Sequence, residues 1–362
     1  MAVIESVRTD AYRIPLATVL TDSTHGIMAD FELMTVRITD RDSARGTGYT
    51  YAVNSGAGAF KVLVDDYLAP ILCGQEADTI EKRWQDMWWK LHYAGRGGHA
   101  TSAISAVDIA LWDLKARRAS VPLWRLFGGF DARVPVYAGG VDLEFPIEQL
   151  LAQADRFQAA GFRAIKMKVG RASLREDVER VRRMREHLGD DFPLMVDANM
   201  KWTAHQAIGA ARALSPFDLV WLEEPTIPDD VAGHAQIVRD GGVPVATGEN
   251  LHTLYEFNAM IGAHAVSYPE PDVCNCGGMT VFRKIAALAE AHNLPLTSHG
   301  VHDLTVHLMA AAPHRTYMEV HGFSLDRFLA DPLEVHDGFV TAPDRPGHGI
   351  ELDWAALEAH RA

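Results

Sequence analysis

Four segments between residues 162 and 250 decide the fold: FRAIKMKVG (162–170), FPLMVDANM (192–200), LVWLEEP (219–225) and VATGEN (245–250). Each is a short apolar run with ionisable side chains at or near its end: Lys166 and Lys168, then Asp197, Glu223 and Glu249. Helix-length amphipathic stretches separate them, such as LREDVERVRRMREHLG (174–189) and AHQAIGAARALS (204–215). Strands alternating with helices imply a parallel sheet built from repeated strand–helix units. The series begins with VPVYAGG (134–140) and continues through VSYPEPD, PLTSHG and TYMEVH, which carry Asp272, His299 and Glu319. Eight such strands close into a barrel whose working groups gather at the C-terminal strand ends.

Outward from that core the texture changes. FELMTVRIT (31–39) reads as a strand, and GTGYTYAVNSGAG (46–58) as a Gly-rich, mobile stretch. From Ala59 to Arg118 the pattern is helical, with Ile104, Val107, Leu111 and Leu114 at helical spacing. SVPLWRLFGG (120–129) ends it with Pro and paired Gly. The expected division is an α+β capping domain over 1–125, a barrel over 126–325, and a segment over 326–362 that returns to the cap.

The composition narrows the function. Of 362 residues, 48% are apolar and 23% charged, as in ordinary globular proteins, and the net charge is −14. An acidic surface repels nucleic acid and anionic membranes, and an anionic substrate would need local positive charge. Cys73, Cys274 and Cys276 cannot all pair, and the lone C-x-C has no second thiol pair for zinc. Free thiols, the absence of a basic-then-apolar N-terminal leader and the lack of a bilayer-length apolar run give a cytoplasmic expectation.

Asp197, Glu223 and Glu249 recur 26 residues apart. Three converging carboxylates repel one another unless a cation joins them, and an all-oxygen set suits Mg²⁺. Lys166 and Lys168 alternate on one strand and so share a face, where each lowers the other's pKa and one becomes a base. Asp272 beside His299 fixes and charges the imidazole as an acid or base.

The ordered motifs, K-x-K, D-x-N, E-E-P, G-E-N, then Asp, His and Glu, resemble the enolase superfamily and within it the mandelate racemase subgroup. SAVDIALWDLKAR and PLWRLFGG resemble its cap helix and cap–barrel junction, so the likeness spans the chain. The resemblance implies an α/β fold, a modified (β/α)7β TIM-like barrel with an N-terminal α+β cap completed by the C-terminal tail. It implies one Mg²⁺ held by Asp197, Glu223 and Glu249. Lys168 would take an α-proton on one face of the substrate and the Asp272–His299 dyad would work on the other. Lys166, Asn199 and Glu319 would hold and neutralise the carboxylate as it becomes an enediolate. Glu270 departs from the pattern, since relatives often carry Gln there. The Lys that muconate-cycloisomerising relatives place on the sixth strand is missing from PEPDVCNCGG (269–278).

Substrate choice falls to the cap. TDSTHG (21–26), GYTYAVNSG (48–56) and HYAGRGG (92–98) supply Asp22, His25, Tyr51, Tyr93 and Arg96, groups that bind hydroxyls and anions. They favour a small polyhydroxylated acid. YRIPLATVLTDSTHG, GENLHT and NCGG resemble the acid-sugar members of the subgroup, both ring-opening cycloisomerases and dehydratases. Racemisation, and a catalytically silent sugar-acid-binding protein, stay open as alternatives. A homo-oligomer is the expected assembly.

Overall fold

The structure, a computed structural model, describes residues 2–321, 323 and 325–362. Three antiparallel strands open the chain: β1 (Ile4–Thr21), β2 (Ile27–Asp40) and β3 (Arg45–Val53), paired in that order. Eight parallel strands follow: β4 (Arg133–Gly139), β5 (Ile165–Lys168), β6 (Leu194–Asp197), β7 (Leu222–Glu223), β8 (Val245–Thr247), β9 (Tyr268–Pro269), β10 (Leu296–Ser298) and β11 (Arg315–His321). Their hydrogen-bonded order is β10-β11-β4-β5-β6-β7-β8-β9. The seam between β9 and β10 is bridged by His299 N donating to Pro271 O at 3.4 Å. A helix follows each of the first seven, so the barrel is (β/α)7β, and β12 (Phe339–Thr341) adds antiparallel to β4.

Strand alternation sets the interior. Residues two positions before Lys166, Asp197 and Glu223 lie on the same strand face as those groups, and these residues, Ala164, Met195 and Trp221, form one buried cluster with Tyr137 and Ala246. Tyr137 meets Trp221 edge-on at 5.4 Å. This apolar layer floors the site and excludes water from the groups above it.

Residues 46–53 are not a mobile loop but strand β3, laid on the helix His99–Ala119. A Cβ at Gly46 would strike Ala110 O, and one at Gly48 would strike Ala106 O. The glycines therefore serve close packing rather than freedom. That helix is buried from Ala100 to Leu114 because β3 covers one side and the barrel helix Gly278–Ala291 the other. Asp108 on it accepts from Thr280 N at 2.9 Å and Thr280 Oγ1 at 2.6 Å, tying cap to barrel.

The tail runs back to the cap. Asp113 Oδ1 accepts from His348 N at 3.0 Å, and Arg13 N and Ala362 N bond His360 O and Ala11 O at 2.8 and 2.9 Å. All three cysteines are free. No helix among the described residues is long and apolar enough to cross a membrane.

Candidate active site

Asp197 ends β6, Glu223 ends β7 and Glu249 follows β8, so the 26-residue spacing delivers them to adjacent strands. One carboxylate oxygen from each lies within 4.8 Å of the others. Asp197 and Glu223 are buried, while Glu249 faces a cavity of about 460 Å³ between barrel and cap. Lys166 Nζ pairs with Glu223 Oε1 at 2.5 Å and Glu319 Oε1 at 3.0 Å, and stands 3.8 Å from Asp197 Oδ2. Lys168 Nζ pairs with Asp197 Oδ2.

The charge balance differs from the expectation that two neighbouring lysines lower one another. Burial does disfavour both ammonium groups, but Glu223 and Glu319 outweigh it at Lys166, and Asp197 does so at Lys168. Both lysines are therefore raised above their ordinary value. The effect of Lys166 on Lys168 exists but is outnumbered by carboxylates from other strands. Glu223 moves up to about 8, despite its pairing with Lys166, because burial and the charges of Asp197, Glu319 and Glu249 weigh more. Burial and Glu249 likewise raise Glu224.

A cluster with surplus buried negative charge wants a proton or a cation. The donor set is oxygen only, and the buried Asn199 Oδ1 has no hydrogen-bond partner among the described residues, while Asn199 N donates to Asp197 Oδ1 at 2.8 Å. These features fit a hard divalent ion such as Mg²⁺. His299, Glu319 and His321 also approach within 4.8 Å of one another. There, however, Glu319 Oε2 accepts from Gly300 N at 2.9 Å, and His321 Nδ1 accepts from Phe323 N at 3.1 Å.

Across the cavity from Lys168, His299 Nδ1 lies 2.9 Å from Asp272 Oδ2. Its Nε2 is 3.2 Å from Glu249 Oε2 and 3.6 Å from Glu319 Oε2. Burial opposes the imidazolium, but Glu249, Glu319 and Asp272 hold the ring's pKa well above its usual value. Glu319 is itself held ionised against burial, chiefly by Lys166. Glu270 lies buried below, with Tyr137 Oη donating to its Oε1 at 3.0 Å and its Oε2 without a partner among the described residues. Burial and the charge of Glu223 raise it well above the usual carboxyl range, favouring the protonated form, which would present an acceptor and a donor as an amide does.

Of the cap residues, Asp22, His25 and Tyr51 line the cavity with Lys168, Asn199, Glu249, Asp272 and His299. His25 Nδ1 is 2.7 Å from Asp22 Oδ2, and although burial opposes it, that contact lowers the Asp22 carboxyl to about 2. Tyr51 Oη donates to Asp272 at 2.8 Å. Arg96 is not among the lining residues: it sits exposed on the loop before the helix His99–Ala119, and Tyr93 on the same loop is fully exposed. A cation on a short loop between two packed helices keeps its hydration when no carboxylate faces it.

The structure also brings in groups that the motifs did not single out. Asn250 Nδ2 bonds both oxygens of Glu224, at 2.9 and 3.0 Å, and Glu249 Oε1 at 3.2 Å. His321 and His99 line the cavity. His321 stands two residues after Glu319 on one strand, so the same-face rule was the available signal. His99 had none.

The chain matches two family models: Mandelate racemase / muconate lactonizing enzyme, N-terminal domain, over residues 7–128, and Enolase C-terminal domain-like, over residues 149–356. It is 68% identical over 354 residues to 3,6-anhydro-alpha-L-galactonate cycloisomerase of Streptomyces coelicolor, covering 98% of each chain. A racemase from Streptomyces coelicolor A3(2) with bound magnesium superposes with a TM-score of 0.98 at 66% identity, covering 99% of this chain and 100% of the other. L-talarate/galactarate dehydratase from Salmonella typhimurium LT2, liganded with Mg and L-lyxarohydroxamate, gives 0.94 at 34% identity, covering 99% and 93%.

Proposed function

The chain belongs to the mandelate racemase/muconate lactonizing enzyme family of the enolase superfamily, and from that premise we propose that it opens the ether ring of a 3,6-anhydro-galactonate-type sugar acid by Mg²⁺-dependent β-elimination. The single observation that carries this reading is that Lys168, the Asp272–His299 dyad and Glu249, one of three converging carboxylates, line one cavity. The similarity to the cycloisomerase over nearly the whole chain supports the anhydro substrate.

Asp197, Glu223 and Glu249 would hold the ion, which when bound supplies positive charge to the substrate carboxylate and to the enediolate formed from it. Asp197 is the charge that does most to raise Lys168 and Lys166 the charge that lowers it, so with Asp197 held by the ion Lys168 would give up its proton more easily, as a base requires. Lys168 Nζ takes the α-proton, and the C2–H electron pair moves toward the carboxylate. Lys166 and the amide of Asn199 bind the carboxylate oxygens as charge accumulates there. Collapse of the enediolate breaks the C3–O bond, and His299 donates its proton to the departing ring oxygen. The resulting enol takes a proton at C3 and becomes a 2-keto-3-deoxy acid with the atoms of the substrate. Asp22 and His25 serve the distal hydroxyls.

Dehydration of an aldarate or aldonate uses the same first step, with water leaving in place of the ring oxygen. The likeness to the talarate/galactarate dehydratase keeps it as the second reading. Acid sugars and their anhydro derivatives, incubated with Mg²⁺ and assayed with semicarbazide, test the proposal. An anhydro acid should yield the 2-keto product at unchanged mass, whereas racemisation alone, with no keto acid, would overturn it.

A further inference from the structure

A phenol carried by the cap is built into the barrel's acid–base dyad. Tyr51 Oη donates to Asp272 Oδ2 at 2.8 Å, the same oxygen that His299 Nδ1 meets at 2.9 Å. Cys274 N holds the other oxygen, Oδ1, at 2.7 Å. The close approach depends on Gly300, where an added Cβ would lie 3.1 Å from Tyr51 Oη and 3.3 Å from Asp272 Oδ2. Gly300 also has φ 52°, a left-handed turn just after His299.

The strand that delivers this phenol is anchored to the same turn by separate bonds. Thr50 Oγ1 donates to Cys274 O at 3.0 Å, and Cys274 Sγ donates to Tyr49 O at 3.3 Å. Tyr49 Oη donates to Asp303, in the helix that follows β10. Three consecutive cap residues thus hold the loops that carry Asp272 and His299. A tyrosine has one proton to give, and Tyr51 gives it to a carboxylate rather than to the cavity.

We propose that Tyr51 is a positioning residue for the Asp272–His299 dyad and not a substrate-binding group. It fixes Asp272 Oδ2, so His299 stays aimed at the departing oxygen. The kinetic part of this rests on His299 being the acid of the elimination. The cap is then a working part of the catalytic apparatus as well as a specificity surface.

Tyr51→Phe removes the hydroxyl and leaves the Thr50, Cys274 and Tyr49 bonds in place. In the Mg²⁺-loaded full chain, kcat should fall about ten- to hundredfold with KM little changed, the range typical of losing such a supporting partner. Exchange of the α-proton with solvent, the work of Lys168, should continue near the wild-type rate. A second readout needs no substrate. The His299 Nδ1–H proton resonance, assigned by its loss in His299→Asn, should move downfield in Tyr51→Phe because the competing donor has left Oδ2. An unmoved resonance overturns the positioning role, as does a raised KM with unchanged kcat. Were no acid sugar turned over by the wild type, the proposed function would fail while the resonance still decided the role of Tyr51.

Discussion

Replacing Lys166 by Met asks how far the barrel floor depends on one ammonium. Its Nζ faces Glu223 at 2.5 Å, Glu319 at 3.0 Å and Asp197 at 3.8 Å, and all four side chains are shut off from water. At an effective dielectric of about 20 the three attractions come to roughly 16 kcal/mol gross. Desolvating the ammonium offsets most of that, and removing one partner of such a buried cluster leaves a net loss of about 3–5 kcal/mol. Proteins are typically stable by only about 5–15 kcal/mol, so the variant should be visibly weaker without metal. The loss should also depend on pH. Burial already pushes Glu223 up to about 8 against the pull of Lys166, and without Lys166 the push is stronger. A carboxyl whose folded-state pKa is raised stabilises the fold below its unfolded value, and that contribution disappears as pH climbs through the folded value. In EDTA, Lys166→Met should therefore unfold near the wild-type midpoint at about pH 5 and far below it at about pH 9. Urea or thermal unfolding at both pH values measures this, and added Mg²⁺ should restore much of the deficit by giving the carboxylates another counter-charge. Equal midpoints at the higher pH in EDTA, or a deficit indifferent to Mg²⁺, would refute the reasoning.

Three further outcomes are expected. Lys168→Ala and His299→Asn should each lower turnover by about 10²–10⁴-fold or more, checked by steady-state kinetics, since each removes a general acid or base. Glu223→Gln should weaken Mg²⁺ binding in calorimetry, because the amide lacks the charge a hard cation prefers. Gly48→Ala should destabilise the protein by about 1–3 kcal/mol or more in urea unfolding, since its Cβ would meet Ala106 O and, at 2.6 Å, Ala110 N on the buried helix.

The barrel was legible because each strand closes on a charged residue that an apolar run does not otherwise need, and because even spacing survives any error in element boundaries. The glycines of β3 misled for the opposite reason. Gly46 and Gly48 are required by the backbone of Ala106 and Ala110, some sixty residues further on, and local reading cannot see that contact. β1 went unnoticed since its register shifts between Ile4 and Ser6 and again between Pro15 and Leu20, which spoils alternation. The charge state of Lys166 and Lys168 depends on acids from four other strands, which spacing on β5 alone does not reveal. Arg96 and Tyr51 show the limit of residue type: one faces solvent, and the other turns its proton to Asp272.

The most direct test is to turn over a 3,6-anhydro-galactonate in D₂O with Mg²⁺ and follow the product by NMR and mass spectrometry. Ring opening by α-proton abstraction predicts a 2-keto-3-deoxy acid carrying deuterium at C3, with no loss of water. Deuterium confined to C2 with the C3–O bond intact would contradict it.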